Sequence, residues 1–346
     1  MSLHPRQERI RPAKPAWHAG LARFTQPDPR KAAWQLVNTL VPYALLWAAM
    51  AATVLYRLPY WVTLLLAVPE AVLTVRIFIF FHDAGHGSFF PSSRANTVVG
   101  YVCGILTFTP YHDWHRAHAL HHATAGNLDR RGVGDVWTMT VDEYLSAPRR
   151  QRLAYRLLRN PLVMFGLGPV FVFLIGQRIP RKGGKRRERL SVVYTNLALA
   201  GILVVAGLTI GLGTYVAVQL PVFLISGMLG LWLFYVQHQF AGVYWARDDD
   251  WDASRAALAG SSFYKLPAFL RWCTGNIGLH HIHHLRPRIA NYHLQPCMDA
   301  ITELQQVTPL TFRRSLTSLR LNLWDEQQHK LVSFRSIAGA RSAAQA

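Results

Sequence analysis

The sequence predicts an all-α integral membrane protein. Four transmembrane helices pair in two hairpins, with re-entrant or interfacial helices and a histidine-rich domain on the cytoplasmic side. Three observations lead there. Of the 346 residues, 51% are hydrophobic and only 16% charged, against about 25% charged in a typical soluble domain. The apolar residues lie in long blocks with the basic ones between them, 37 Lys+Arg against 18 Asp+Glu. Most of the 16 histidines fall into a few tight clusters.

A basic, apolar chain suits a membrane or a nucleic acid. The block arrangement favours the membrane, so no nucleic-acid partner is expected. Disorder is excluded by 11 Trp, 13 Tyr and 17 Phe. Three cysteines, Cys103, Cys273 and Cys297, lack CxxC spacing, so neither a disulfide framework nor a thiolate metal site is expected.

Residues 1–33 carry seven Lys/Arg and several prolines. No short apolar run ends there at a small-residue cleavage site, so a basic cytoplasmic tail is expected rather than a signal peptide. Stretches at about 34–56, 60–81, 191–210 and 214–236 reach the roughly 20 residues that a helical crossing needs. Residues 96–109 are too few to cross. Residues 161–179 are long enough, but Arg149, Arg150, Arg152, Arg156 and Arg159 precede them. Arg181, Lys182, Lys185, Arg186, Arg187 and Arg189 follow. A crossing would place one of these groups outside, against the positive-inside tendency. Both stretches therefore read as re-entrant or interfacial. The outer turns, Arg57-Leu58-Pro59 and Gly211-Leu212-Gly213, hold one positive charge. Residues 34–294 then form the membrane and site domain, and 295–346 a polar, basic C-terminal region on the cytoplasmic side.

His82 and His86 stand four apart at the end of the second span, on one helix face. His118, His121 and His122 form an HxxHH pattern, and the spacing i, i+3, i+4 gathers them on one face. His280, His283 and His284 repeat it. His238 follows the last span directly. These nine are the candidate metal ligands. His4, His18, His293 and His329 read as ordinary polar residues, while His112, His115 and His281 adjoin the clusters but lie off the shared face. Nine nitrogens exceed the four ligands of a structural zinc or the three plus water of a catalytic one. No HExxH is present, and thiolates are absent, which leaves iron as the best candidate for an imidazole-rich pair of sites. Asp83 and Asp113 stand where a carboxylate orients a ligand imidazole through its second nitrogen. Asn276 either holds a metal-bound water or caps a helix. Glu70, near the middle of the second span, is functional by default or a paired structural group.

These residues resemble the membrane fatty-acid desaturase family, whose mark is three histidine boxes, HxxxH, HxxHH and HxxHH. The finer pattern is similar to bacterial acyl-lipid desaturases of the delta-12/omega-6 or delta-5 type. It includes His82-Asp-Ala-Gly-His-Gly-Ser-Phe-Phe, Gly126-Asn-Leu-Asp-Arg-Arg-Gly-Val-Gly-Asp-Val-Trp and Asn276-Ile-Gly-Leu-His-His-Ile-His-His-Leu. The likeness runs from about 34 to 294. The chain departs from the family pattern at Ala241-Gly242, where an acidic residue is common, and at Ala290, where proline is common. The resemblance implies two non-haem iron ions held by the nine histidines, with O2 as co-substrate. It also implies an acyl chain of a membrane lipid as substrate, receiving a cis double bond, and a bacterial inner-membrane location. With no flavin or nicotinamide fingerprint in the chain, electrons would come from an external ferredoxin- or flavodoxin-like donor. The basic run 181–189 would dock that donor or rest on anionic headgroups. Phe78, Phe89 and Phe90 would line an acyl tunnel or pack the core. Two other functions stay open: a di-iron hydroxylase or ketolase acting on a lipid, alkane or carotenoid, and a non-catalytic metal transporter or store.

Overall fold

Asp28-Pro29 opens the first long helix by a familiar device. The Asp28 carboxylate accepts the amide protons of Arg30 (2.9 Å) and Lys31 (3.2 Å), and Pro29 fills the first position, where its missing N–H is not needed. In this computed structural model, which describes residues 17–337, the helix is α1 (Pro29–Leu55). His4 and half of the expected basic tail, residues 1–16, lie outside the described residues, as do residues 338–346. There follow α2 (Tyr60–Gly85), α3 (Ser93–Leu106), α4 (Tyr111–Thr124), α5 (Arg149–Leu158), α6 (Arg186–Thr209) and α7 (Leu212–His238). Among the described residues, only α1, α2, α6 and α7 are long and apolar enough for a straight crossing. At 1.5 Å per residue they exceed the roughly 30 Å of a bilayer core. Helix α2 is the central one, packed on α1, α3 and α7. Its window is 61% buried, against 17% for α6, so α2 is the protein-surrounded member and α6 the lipid-facing one.

The helices outrun the apolar stretches in the sequence. Helix α1 starts at Pro29 rather than 34, and α6 at Arg186 rather than 191. Helix α2 continues past 81 through His82 and Asp83 to Gly85, and α7 ends at His238 rather than 236. Hydropathy marks only the hydrocarbon crossing. The backbone ladder goes on wherever polar side chains find partners inside the protein. At the far end, Gly211 takes φ +82° in the α6–α7 turn, a conformation that costs glycine little.

Helix α3, with 14 residues, spans about 21 Å and is too short to cross. After α5 the chain enters a π-helical run, Leu162–Leu167 and Val170–Ile175, and this run is bent by 65° against α5. Pro161 and Pro169 remove amide donors from the α ladder there, which favours the wider turn. Pro169 is seated on α7 at Gly227, where a Cβ would come within 2.6 Å of the proline ring. Glu70 is fully buried in α2, and neither carboxylate oxygen has a partner among the described residues.

Beyond α7, the histidine end of the bundle is closed by short elements. Helices α8 (Ala268–Cys273), α9 (His280–Leu285), α10 (Asn291–Ala300) and α11 (Phe312–Thr317) are joined by two small sheets. Phe263–Tyr264 pairs in parallel with Pro309–Leu310, and Leu323–Asp325 antiparallel with Lys330–Val332. Trp324, 2% exposed, is buried among Leu128, Val243, Trp245 and Leu331. Leu21 packs with Ile282, Leu294 and Ile301. Residues on either side of 33 and of 294 thus share one core.

Candidate metal centre

Four elements converge on the histidine end. Helix α2 carries His82 in its last turn and is capped by His86. Helix α4 carries His118, His121 and His122; α7 ends on His238; α9 carries His280, His283 and His284. The nine side chains form two adjoining groups. His82, His86, His118, His122 and His283 make one; His121, His238, His280 and His284 make the other. Within each, the candidate ligand atoms lie within 4.8 Å of one another.

This corrects the expectation of one shared face per box. On an α-helix, residues four apart differ by about 40° and neighbours by 100°. His118 and His122 therefore turn to the first group and His121 to the second. The third box divides likewise, His280 and His284 against His283.

The spacing suits ions. Two nitrogens at right angles, each about 2.1 Å from one ion, stand roughly 3.0 Å apart. The Nε2 atoms of His118 and His122 are 3.1 Å apart, those of His122 and His283 2.9 Å, and those of His238 and His280 3.0 Å. The pair His121–His238 is the most telling. His121 Nδ1 faces the Asp135 carboxylate at 2.6 Å, and His238 Nδ1 faces the Gly260 carbonyl at 3.1 Å. Both acceptors demand a proton on Nδ1, which leaves lone pairs on both Nε2 atoms. These Nε2 atoms stand 3.1 Å apart. Two lone pairs at that distance repel, and a cation between them removes the conflict. The buried Nε2 atoms of His82, His86 and His284 also lack a partner among the described residues. The residues fit a pair of metal ions.

Burial, and then the neighbouring imidazoles, hold His86, His118, His122, His280, His283 and His284 well below the usual histidine range. They are neutral at pH 7, as ligation requires.

Asp83 stands where the sequence placed it. Its Oδ1 contacts His82 Nδ1 at 2.9 Å, and its Oδ2 accepts from the Asn291 backbone (2.7 Å) and side chain (2.9 Å). Asp113 does not: it pairs with Arg181 at 2.8 Å and touches no ligand histidine. Asn276 sits in a left-handed turn with its amide on the Asn291 carbonyl at 3.1 Å. The residue at the α9 cap is Leu279. His112 accepts from Arg187 Nε at 2.9 Å, and His281 turns to Phe263, so neither joins the groups. Phe78, Phe81 and Trp114 pack edge-on and tilted against one another beneath the first box, and Phe89 is fully buried against Phe80. The basic run is partly structural, since Arg181 and Glu188 both bind α4, through Asp113 and Arg116.

Sequence reasoning missed Asp135. It lies in a loop, 14 positions after His121, where no helical spacing relates the two. Gly134 lets that loop run against α4: at φ +73°, its Cβ would come 3.0 Å from the His121 Cβ. Its place in the desaturase-like stretch from Gly126 to Trp137 was the available signal.

Four helices long and apolar enough to cross a membrane, two of which (α2 and α7) end in adjoining all-imidazole groups that could hold metal, mark a membrane protein of the metal-binding class. Comparison with known proteins narrows the class. The fatty acid desaturase family model matches residues 55–314. The chain is 47% identical over 317 residues to a fatty acid desaturase of Bacillus subtilis (strain 168), covering 92% of this chain and 90% of that one. It is 28% identical over 246 residues to the sn-1 acyl-lipid omega-3 desaturase (ferredoxin) of Synechocystis, covering 67% and 65%. With the sn-1 oleoyl-lipid 12-desaturase of the same organism it shares 25% over 231 residues, covering 65% and 64%. This protein belongs to the fatty acid desaturase family. It is a membrane-bound oxidoreductase that introduces double bonds into fatty acyl chains.

Proposed function

We propose that the two histidine groups hold two iron ions, and that the protein uses O2 to place a cis double bond in an acyl chain of a membrane lipid. The facing lone pairs of His121 and His238 carry this reading, because they call for a cation where the family's chemistry needs one. Imidazole-only ligation without thiolate or bridging carboxylate suits iron with positions left open. When bound, the metal pair supplies the oxidising power to remove two hydrogens from adjacent unactivated carbons. The chain's own residues do the rest. Asp83, Asp135 and the Gly260 carbonyl fix the tautomers of His82, His121 and His238. Burial keeps the imidazoles neutral, and the aromatic layer of Phe78, Phe81 and Trp114 excludes water beneath the first box.

The positive-inside tendency of the flanking arginines and lysines supports a histidine end on the cytoplasmic side of the inner membrane, where a reduced ferredoxin- or flavodoxin-like donor is available. One relative is named as ferredoxin-dependent, which supports that class of donor. The nine histidines, with Asp83 and Asp135 behind them, form the proposed site. Expression in a host without its own desaturase, followed by gas chromatography of total lipids, tests the activity. New cis-monoenoic or dienoic acids are expected. New hydroxy acids without new double bonds would turn the reading toward a hydroxylase.

A further inference from the structure

Behind the third histidine box, the described residues line a half-open cavity of about 380 Å³. Its inner wall is Gly278-Leu279, directly before His280. Its polar lining includes Lys265, Arg271, Asn276, Gln295, Asp299 and Gln305. Arg271 donates to Gln295 Oε1 at 3.0 Å, and Gln295 donates to Asp299 at 2.7 Å. Neither Lys265 nor Arg271 forms an ion pair among the described residues. Two cations therefore face a common space with one carboxylate beside them.

The level of this cavity is fixed by α2. Arg76 donates to the Trp272 carbonyl, and its guanidinium lies 4.3 Å over the Trp272 ring. Arg76 precedes His82 by six residues, about 9 Å toward the middle of the span. Helix α8 is therefore held on the membrane side of the metal centre. Its outer face agrees, for Phe269 is 72% exposed, with Leu270 and Trp272 also exposed. On α11, Phe312 is 58% exposed beside Arg313 and Arg314. Large apolar side chains rimmed by arginine, on short helices outside the spans, belong at the boundary between acyl chains and headgroups.

We propose that this cavity is the headgroup site for a glycerophospholipid that enters laterally from the leaflet. Lys265 and Arg271 receive its phosphate, and Asp299 accepts a hydrogen bond from the hydroxyl or ammonium of the head. The acyl chain then runs past Leu279 toward the histidine groups. A soluble thioester carrier would meet the apolar rim of α8 and α11 first, so a lipid already in the membrane is the better occupant. The direction of the acyl chain rests on the desaturase reading; the headgroup contact does not, and its test needs no turnover.

Iron-loaded full-length protein in lipid nanodiscs is irradiated with phosphatidylglycerol carrying a diazirine in its headgroup, and the labelled peptides are mapped. Label is expected on segments 263–279 and 295–305. Unlabelled phosphatidylglycerol should compete, whereas inorganic phosphate and an acyl-CoA should not. The K265Q/R271Q double variant should lose about ten- to thirty-fold of the label, given roughly a five-fold effect per headgroup-facing cation. K265R/R271K should retain most of it. Unchanged iron content in both variants shows that they fold. Label confined to other segments, undiminished label in K265Q/R271Q, or equal competition by inorganic phosphate overturns the proposal. If labelling succeeds while lipids from the expressing host show no new double bonds, the desaturase reading fails and the lipid site stands.

Discussion

His121 and His122 are adjacent in the chain, yet they lie in different histidine groups because about 100° of helix turn separates them. Their replacements should differ. His121→Ala leaves three ligands in the smaller group, whereas His122→Ala leaves four in the larger. Iron analysis of the purified variants should show about one ion retained for the first and nearly two for the second, with turnover lost in both. Equal loss would mean that the groups are not separate sites. Asp135→Asn replaces the carboxylate that sets the His121 tautomer with a weaker, neutral amide acceptor, and such changes typically cost 10–100-fold in metal affinity. Asp113→Asn, which breaks only the pair with Arg181, should leave chelator competition unchanged. Sequence spacing revealed all nine histidines, since a helical repeat of i, i+3, i+4 is visible in one dimension. It did not reveal their division into two groups, or Asp135, because both depend on how the elements meet in space.

At the scale of elements, the two hairpins were legible from hydropathy and charge, while the ends of the helices were not. Polar side chains such as His82 and Asp83 continue a helix when their partners lie inside the protein, and hydropathy counts them as its end. The short sheets and the C-terminal hairpin carry too little periodicity to be seen beforehand. The 65° bend before residues 162–178 keeps that run from being a straight fifth span, and the basic groups flanking it belong on one side. Cysteines placed singly at Leu212 and Lys185 test this. An impermeant thiol reagent should label position 212 from outside intact spheroplasts, and position 185 only after permeabilisation. Cys103, Cys273 and Cys297 are all buried, so background labelling should be low. Labelling of 185 in intact spheroplasts would require an odd number of crossings before it. Glu70 makes a separate case. A buried polar group without partners costs about 1–3 kcal/mol, so Glu70→Met, of similar volume, should raise the thermal midpoint by roughly 2–4 °C with iron content unchanged. A lower midpoint would show that the carboxyl has a stabilising partner.

For the whole molecule, the histidine end is at once the site and a main determinant of pH stability. Folded His86, His118, His122, His280, His283 and His284 resist protonation because they are buried together. Their pKa values in the unfolded chain lie near 6.5. Above that pH neither state binds the protons, and stability is flat. Below it the unfolded chain takes them up first, so stability falls with pH. The metal-free protein should lose thermal stability progressively below about pH 6.5, whereas the iron-loaded protein, whose folded imidazoles resist protonation, should hold its metal to lower pH before protons displace it. A midpoint that stays level down to pH 5 would contradict this electrostatic account.

The most direct measurement of the central claim is the metal content and oxidation chemistry of the protein purified in mild detergent at pH 7.5. Elemental analysis should give about two iron atoms per chain, one for each histidine group, with desaturation lost on iron chelation and restored by ferrous iron alone. A single zinc per chain, with desaturation surviving iron chelation, would contradict it.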